Sequence, residues 1–190
     1  MKIFAVGLNK TGTMSLDKVL KPYFKTLHNP NVFTEMVSKA IKNRQKPLKY
    51  LNPNICLFSD LFWASNMSTK FYTDQVWRSL VVKYLYRDYP NAKFIINIRN
   101  LNDWLASRVK HVKRNQNNKR YSEKTYQWTK IDEQKWIQEY IDHYKFLDKF
   151  FGDKPHLKLD ICAGDKPDKL FDFLGIKSDL KEFPIVNQYK

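Results

Sequence analysis

The sequence lacks several features that would define other classes of protein. Its two cysteines, Cys56 and Cys162, lie far apart with no CxxC or histidine spacing, which argues against a disulfide framework and a zinc site. No apolar run approaches bilayer length, and the N-terminus lacks the apolar core of a secretory signal. With no repeat and no Pro-, Gly- or Ser-rich linker in 190 residues, we expect one soluble, cytoplasmic domain over residues 1–190.

Acidic residues are also scarce. Lys and Arg number 34 against 19 Asp and Glu, giving a formal net charge of +15, which favours anionic ligands without naming one. The excess is largest between Arg108 and Lys130, where Glu123 is the only acid. This segment keeps nucleic acid among the possible partners, although a solvated loop explains the same charge. Its polar stretch is aperiodic, so we predict a mobile basic loop at about 114–130 that folds over a ligand as a lid.

Short apolar runs alternate with amphipathic segments along the chain. The pattern predicts strands at 2–6, 25–27, 55–58, 94–98 and 157–161, and helices at 15–24, 32–41, 74–89, 101–112, 132–151 and 167–174. Asn31, Thr73 and Asn100 are the predicted N-caps of the second, third and fourth helices. This alternation favours an α/β fold of three layers, with helices covering both faces of a central parallel sheet.

The stretch GLNKTGTMSL follows the first predicted strand, where α/β proteins commonly bind phosphate. Gly7 and Gly12 keep the glycine spacing of a Walker A loop, GxxxxGK[ST]. Thr13, however, occupies the position of the lysine, and Met14 that of the hydroxyl that binds magnesium. The loop therefore lacks two parts that magnesium-dependent phosphoryl transfer requires.

The remaining features of this loop still suit a phosphate group. Backbone N–H groups at a helix N-terminus, with the hydroxyls of Thr11, Thr13 and Ser15, form a cradle for one phosphate. Lys10 lies at the crest, where an ammonium stabilises charge on a leaving oxygen without a metal. The alternative is that the glycines only make a tight turn.

A second motif, FIINIRNLNDWLAS, gives the sequence a family resemblance. Strand, GxxKTGTxSL and helix resemble the 5′-phosphosulfate loop of sulfotransferases that use 3′-phosphoadenylyl sulfate (PAPS). Arg99 at a strand end and Ser107 on the next helix resemble the 3′-phosphate-binding element of the same family. SDLFWA and DICAGDKPDKLFDFLGI are similar to its compact branch, so the likeness extends from Lys2 to Ile176. The catalytic histidine and C-terminal RKG element of the cytosolic enzymes are not apparent.

The resemblance implies a P-loop NTPase-like fold and a transferase of the EC 2.8.2 type. PAPS would be the donor and adenosine 3′,5′-bisphosphate (PAP) the product, with no metal. The residues that the family motifs assign to the donor are Lys10, Thr11, Gly12, Thr13, Met14, Ser15, Arg99 and Ser107.

The base that takes the acceptor's proton is a separate question. Asp60 is the first choice because it follows the third predicted strand, at the ligand-binding edge, and acidic bases occur in carbohydrate-acting branches of the resembled family. His28, after the second strand, is the runner-up, and His111 is third. Each of these residues also has a purely structural explanation. Trp63, beside Asp60, is the predicted acceptor contact.

Two other functions compete with sulfuryl transfer. A P-loop nucleotide kinase accounts for the glycine spacing but not for the displaced lysine, and a nucleic-acid-binding domain accounts for the charge alone. The acceptor is expected to be a small molecule or a carbohydrate. Its pocket is expected in segments 29–50, 61–72 and 114–130, whose composition favours no acceptor class, and no feature indicates an oligomeric state.

Overall fold

The computed structural model describes residues 1–62, 74–116 and 131–186, which contain a five-stranded sheet surrounded by helices. The strands are β1 (Ile3–Ala5), β2 (Thr26–Leu27), β3 (Leu57–Phe58), β4 (Lys93–Asn97) and β5 (Leu157–Leu159). The helices are α1 (Thr13–Leu20), α2 (Pro30–Lys42), α3 (Gln75–Asp88), α4 (Leu101–Gln116), α5 (Glu133–Phe151) and α6 (Pro167–Leu174), with a 3₁₀ turn at Ile161–Ala163. None of the helices in these ranges is both long and apolar enough to cross a membrane.

Every strand pair in the sheet is parallel, in the order β2-β3-β1-β4-β5. Ile3 at the centre is in register with Leu57 on one side and with Lys93 on the other. Because parallel strands point the same way, the loops that follow β1, β3 and β4 leave from one edge of the sheet. The predicted α/β fold with a central parallel sheet is confirmed.

Helices bury both faces of the sheet, which gives the three predicted layers. Phe4 on β1 and Val6 directly after it belong to the larger core with residues of α2, α3, α4 and α5. Ile3 and Ala5 face the opposite way, into a smaller core formed with α1 and α6. This alternation follows from the two-residue period of a strand, and burial on both faces explains why β1 is apolar throughout.

Several helix boundaries differ from the sequence prediction, beginning with α1, which covers Thr13–Leu20 where the sequence predicts 15–24. Asn29, and not Asn31, caps α2: its side chain accepts hydrogen bonds from the N–H groups of Asn31 and Val32. Pro30 follows at the first helical position, where its missing N–H costs nothing. The predicted α3 cap, Thr73, lies outside the described residues, and Asp74 accepts a hydrogen bond from Trp77 N–H there. Asn100 caps the fourth helix, α4, as predicted.

α4 is four residues longer than predicted and ends at Gln116. Residues 114–116 therefore continue the helix, and the prediction of an aperiodic loop beginning at Arg114 is wrong there. Lys113 and Arg114 lie in the last turn, where cations interact favourably with the helix dipole. The rest of the predicted basic loop, 117–130, lies outside the described residues.

The spacing of apolar residues in the third predicted helix places Val76, Trp77, Leu80, Val81, Tyr84 and Leu85 on one buried face, and the buried face of α3 differs from this prediction. Val76 and Leu80 are 80% and 39% exposed, whereas Arg78 is fully buried. The helix buries Trp77, Val81 and Leu85 as expected, together with Arg78 and Val82, which lie four residues apart. Arg78 Nε donates to Gln75 Oε1 at 3.2 Å, so part of its polar head is satisfied inside the protein.

Gly7 lies two residues after the end of β1, at a point where its backbone comes unusually close to that of Asn97. Its N–H donates to Asn97 Oδ1 at 3.0 Å, and a Cβ at Gly7 would lie 1.9 Å from the Asn97 carbonyl oxygen. Only glycine fits without moving β1 or β4.

We predict that Gly7→Ala lowers the free energy of unfolding by more than about 3 kcal/mol, because the new methyl group meets backbone. Gly164→Ala is the matched control: Gly164 has φ +100°, but a Cβ there meets nothing within 4 Å. It should cost only the conformational strain, about 1–2 kcal/mol. Urea denaturation of both variants measures the difference, and equal losses would mean that the clash is relieved.

Candidate active site

The loop between β1 and α1 is built around one side chain, Asn97, at the end of β4. Asn97 Oδ1 accepts from Gly7 N–H, and Asn97 Nδ2 donates to the Leu8 carbonyl at 3.3 Å and to Thr11 Oγ1. The Thr11 hydroxyl in turn donates to the Leu8 carbonyl at 2.6 Å. Thr11 is fully buried, so its hydroxyl closes the loop from inside and only its backbone N–H remains for a ligand.

Residues that follow β4 or lie on α4 hold the crest of this loop, Asn9 and Lys10, by hydrogen bonds. Lys10 adopts a left-handed conformation, with φ +67°, and its carbonyl accepts from Arg99 Nη1 at 3.3 Å. Asn9 is held by two side chains of α4: Trp104 Nε1 donates to its carbonyl at 2.9 Å, and Arg108 Nη1 lies 3.5 Å from its Oδ1. The motif predicted to bind the second phosphate therefore touches the first loop directly.

α1 begins at the end of the loop with its first N–H groups directed toward the site. Gly12, with φ +81°, is the N-cap and has no side chain to cap the helix. Unsatisfied N–H groups at such a terminus, together with the helix dipole, favour an anion. Thr13 and Ser15 are buried, whereas Met14 is 43% exposed. The hydroxyls of Thr11 and Thr13 are hydrogen-bonded within the protein, so backbone N–H groups are the main donors left for an anion, and the phosphate cradle stays a prediction.

The two main base candidates lie side by side next to this cradle. Asp60 follows β3 with φ +57°, and its Oδ1 accepts from the Thr13 hydroxyl at 3.4 Å. His28 Nε2 lies 3.9 Å from Asp60 Oδ2, and His28 Nδ1 is hydrogen-bonded to Ser59 Oγ at 2.8 Å. The structure thus brings together Asp60, His28 and the loop from three separate strand ends.

Lys10 is surrounded by other cations. Burial lowers the pKa of its ammonium, and Arg114, Arg99 and Arg108 lower this pKa further, while Asp60 opposes them. Positive groups held this close repel one another, so an anion bound among them would be favoured.

His111, the third base candidate, is affected by the same cations as Lys10. Burial lowers its pKa to about 4, and Lys10, Arg114 and Arg108 add to the effect. The imidazole is therefore neutral near pH 7. His111 lies one turn after Ser107 on α4, so both side chains belong to one side of that helix.

Arg99 and Ser107 occupy the positions that the sequence predicts. Arg99 lies two residues after the end of β4 and is half-buried, and its Nε is buried with no hydrogen-bond partner within the described part of the chain. Ser107 is half-buried on the second turn of α4. No described hydrogen bond joins the two residues, so their meeting at one phosphate stays a prediction.

A comparison with protein families adds an independent finding to this geometry. The family described as the sulfotransferase domain matches residues 2–190, nearly the whole chain. The chain belongs to the sulfotransferase family. This family performs sulfuryl transfer, which agrees with the resemblance seen in the loop and in FIINIRNLNDWLAS.

Solved structures give a more distant likeness. A sulfotransferase from Alicyclobacillus acidocaldarius is 17% identical with a TM-score of 0.54, over 98% of this chain and 86% of that chain. A deoxyadenosine kinase from M. mycoides with bound dATP is 14% identical with a TM-score of 0.42, over 92% of this chain and 98% of that chain. The first supports the fold, and the second supports no conclusion. No protein of curated function matches the chain.

Several residues that shape this sulfotransferase domain were missed by the sequence analysis. Tyr144, on α5, donates to the Asn97 carbonyl at 2.8 Å and accepts from Leu8 N–H at 3.2 Å. His143 Nε2 donates to the Val6 carbonyl at 2.8 Å. The role of Asn97 could have been predicted from the sequence. It lies at the end of the apolar run FIINI, and an amide that is buried there needs a hydrogen-bond partner. No sequence feature distinguishes Trp104 and Tyr144 from ordinary aromatic residues of the core, so their hydrogen bonds to the loop could not be predicted.

Two further predictions concern acceptor contact and metals. Trp63 lies outside the described residues. Within residues 1–62, 74–116 and 131–186, no group of three or more His, Cys, Asp or Glu side chains is placed to hold a metal ion.

His143 should make the stability of the domain depend on pH. Burial lowers its pKa to about 3, with Arg78 contributing, against an ordinary value near 6.5. Between these values the unfolded chain binds a proton that the folded chain does not, so stability falls as the pH falls from about 6.5 toward 3.

We predict that His143→Gln, which keeps a donor for the Val6 carbonyl, loses less stability than the wild type between pH 7 and pH 4.5. Thermal unfolding at a series of pH values measures the two slopes. His111 and the carboxylates act in both proteins and therefore cancel in the comparison. Parallel slopes would show that His143 is protonated at similar pH in the folded and unfolded states.

Proposed function

We propose that this sulfotransferase moves a sulfuryl group from PAPS to a hydroxyl or amine of a small-molecule or carbohydrate acceptor. The observation that carries the proposal is the 3.3 Å hydrogen bond between Arg99 Nη1 and the Lys10 carbonyl. Family motifs assign these two residues to different phosphates of one donor. Their direct contact supports a single site that binds both ends of a doubly phosphorylated nucleotide.

The local charge supports a polyanionic donor. Arg114, Arg99 and Arg108 all lower the pKa of the Lys10 ammonium, in addition to the larger effect of burial, and Asp60 is the acid that opposes them. PAPS carries its negative charge at two separated positions, which suits cations spread from the loop crest to α4. The Nε–H of Arg99 and the N–H groups at the start of α1 are the donors assigned to its two phosphates.

Lys10 and the loop are assigned to the leaving group. The bond from sulfur to the phosphate oxygen breaks as the bond from sulfur to the acceptor oxygen or nitrogen forms. The phosphate keeps the electron pair and leaves as part of PAP. Lys10 and the N–H groups of Gly12 to Met14 stabilise the charge that grows on that oxygen. In this mechanism the ammonium does what a metal ion does in kinases.

Asp60 is assigned as the base, with His28 as the alternative. In an in-line transfer the acceptor atom and its proton lie on the side of sulfur away from the loop. Asp60 is held near the cradle by Thr13, and His28 lies within 3.9 Å of its second carboxylate oxygen. The proton passes from the acceptor to the Asp60 carboxylate, and Asp60 gives it to solvent after PAP and the sulfated product leave.

We predict that PAP binds in the absence of magnesium and that Lys10→Ala weakens this binding at least about tenfold, because a charge-assisted contact is lost. Isothermal titration calorimetry measures both affinities. Lys18→Ala is the matched control: Lys18 is exposed on α1, so the variant loses the same charge at a distance from the loop. Equal weakening in both variants would indicate a general charge effect and no specific site.

The same titrations separate the competing functions. No binding of PAP at high micromolar concentration would overturn the proposal. Binding of ATP with magnesium in its place would favour a nucleotide kinase. Binding of oligonucleotides that falls steeply with salt and survives Lys10→Ala would favour a nucleic-acid-binding domain.

We predict that Asp60→Asn lowers kcat by about 100-fold or more while donor affinity changes little, because it removes a base and no donor contact. Asparagine tolerates φ +57° and still accepts from Thr13, so the backbone should be retained. Transfer from labelled PAPS, with an acceptor found by screening, gives kcat. Asp172→Asn, an exposed change on α6, is the control. A larger loss in His28→Gln than in Asp60→Asn would transfer the base role to His28.

A further inference from the structure

Arg99 has a contact that phosphate binding does not explain. Its Nη1 donates to the carbonyl of Lys10, a residue held at φ +67°. A non-glycine residue pays about 1–2 kcal/mol for that conformation. The hydrogen bond therefore lies at the one strained residue of the loop that also carries the assigned catalytic ammonium.

The backbone of Arg99 is held by α5, and the Nε of its guanidinium has no hydrogen-bond partner in the described residues. Its carbonyl accepts from the Tyr140 hydroxyl on α5, while its Nε is buried without a hydrogen-bond partner in the described residues. A guanidinium has five N–H donors in one plane, and Nε–H and one Nη2–H form an edge distinct from Nη1. The Arg99 side chain can therefore donate to the Lys10 carbonyl through Nη1 and to a phosphate through the edge formed by Nε–H and Nη2–H.

We propose that Arg99 is a positioning residue for Lys10, linking the 3′-phosphate of the donor to the loop that handles its 5′-phosphosulfate. This inference rests on the proposed function for its ligand, but the contact between Arg99 and the loop does not. A bound 3′-phosphate fixes the guanidinium, and the guanidinium holds the Lys10 carbonyl. Recognition at one end of the nucleotide thus improves the geometry at the other end, where the bond breaks.

Ser107 provides the matched control. The family motif assigns it to the same 3′-phosphate, yet no described hydrogen bond joins it to the loop. If Arg99 only bound the 3′-phosphate, Arg99→Met and Ser107→Ala would have the same kind of effect. If Arg99 also holds the loop, Arg99→Met affects ligands that have no 3′-phosphate at all.

The first experiment compares PAP with adenosine 5′-phosphate by calorimetry. Ser107→Ala should weaken PAP binding and leave adenosine 5′-phosphate binding unchanged. Arg99→Met should weaken PAP binding more strongly and also weaken adenosine 5′-phosphate binding, by about fivefold for one lost hydrogen bond. An unchanged affinity of Arg99→Met for adenosine 5′-phosphate would overturn the inference.

The second experiment measures the loop in ligand-free protein and is read together with the calorimetry. Hydrogen–deuterium exchange of a peptide covering residues 7–13 should be faster in ligand-free Arg99→Met than in the wild type, and unchanged in Ser107→Ala. Arg99→Lys, which keeps the charge but not the two-edged donor, should also exchange faster while binding PAP better than Arg99→Met. Equal exchange in the wild type and both Arg99 variants would overturn the inference. Faster exchange in a protein that binds neither nucleotide would support the loop contact while contradicting the proposed function.

Discussion

The site depends on the close approach of β1 and β4 at their carboxyl ends. Gly7 allows this approach because it has no side chain, and the Asn97 amide then occupies the interior of the loop, bonded to Gly7, Leu8 and Thr11. In a Walker A protein the loop wraps around a phosphate. Here part of its interior is already filled by the protein, so the loop has internal support before any ligand binds.

A second layer of contacts supports this centre from α4 and α5. Trp104 and Tyr144 bury their rings in the larger core and use their polar tips on the carbonyls of Asn9 and Asn97. Each aromatic therefore contributes apolar burial and one directed hydrogen bond. Arg108 stacks on Trp136 at 4.2 Å and also reaches Asn9. Burial behind the loop desolvates this cation and lowers its pKa to about 9.

A local pattern predicts an element well where it has one physical meaning. The apolar runs before GLNKTGTMSL and at FIINI predict β1 and β4 within a few residues, and the helical spacing over 132–151 predicts α5. A local pattern fails where contacts with neighbouring elements decide the outcome. On α3, Val76 is exposed and Arg78 is buried, and Arg78 Nε donates to Gln75 one turn earlier on the same helix, a contact that the apolar pattern does not reveal. The end of α4 was missed because a polar, basic helix terminus resembles a loop in sequence.

By itself, the sequence determined the fold class, the missing magnesium hydroxyl and the identities of Lys10, Asp60, His28 and Arg99 as candidate residues. These follow from period, spacing and side-chain chemistry, which act over a few residues. Only the tertiary structure decided that Arg99 touches the loop, that His28 lies beside Asp60, and that the Thr11 hydroxyl points inward. Such contacts join residues from different strand ends, and the sheet order that brings those ends together is set by packing over the whole chain.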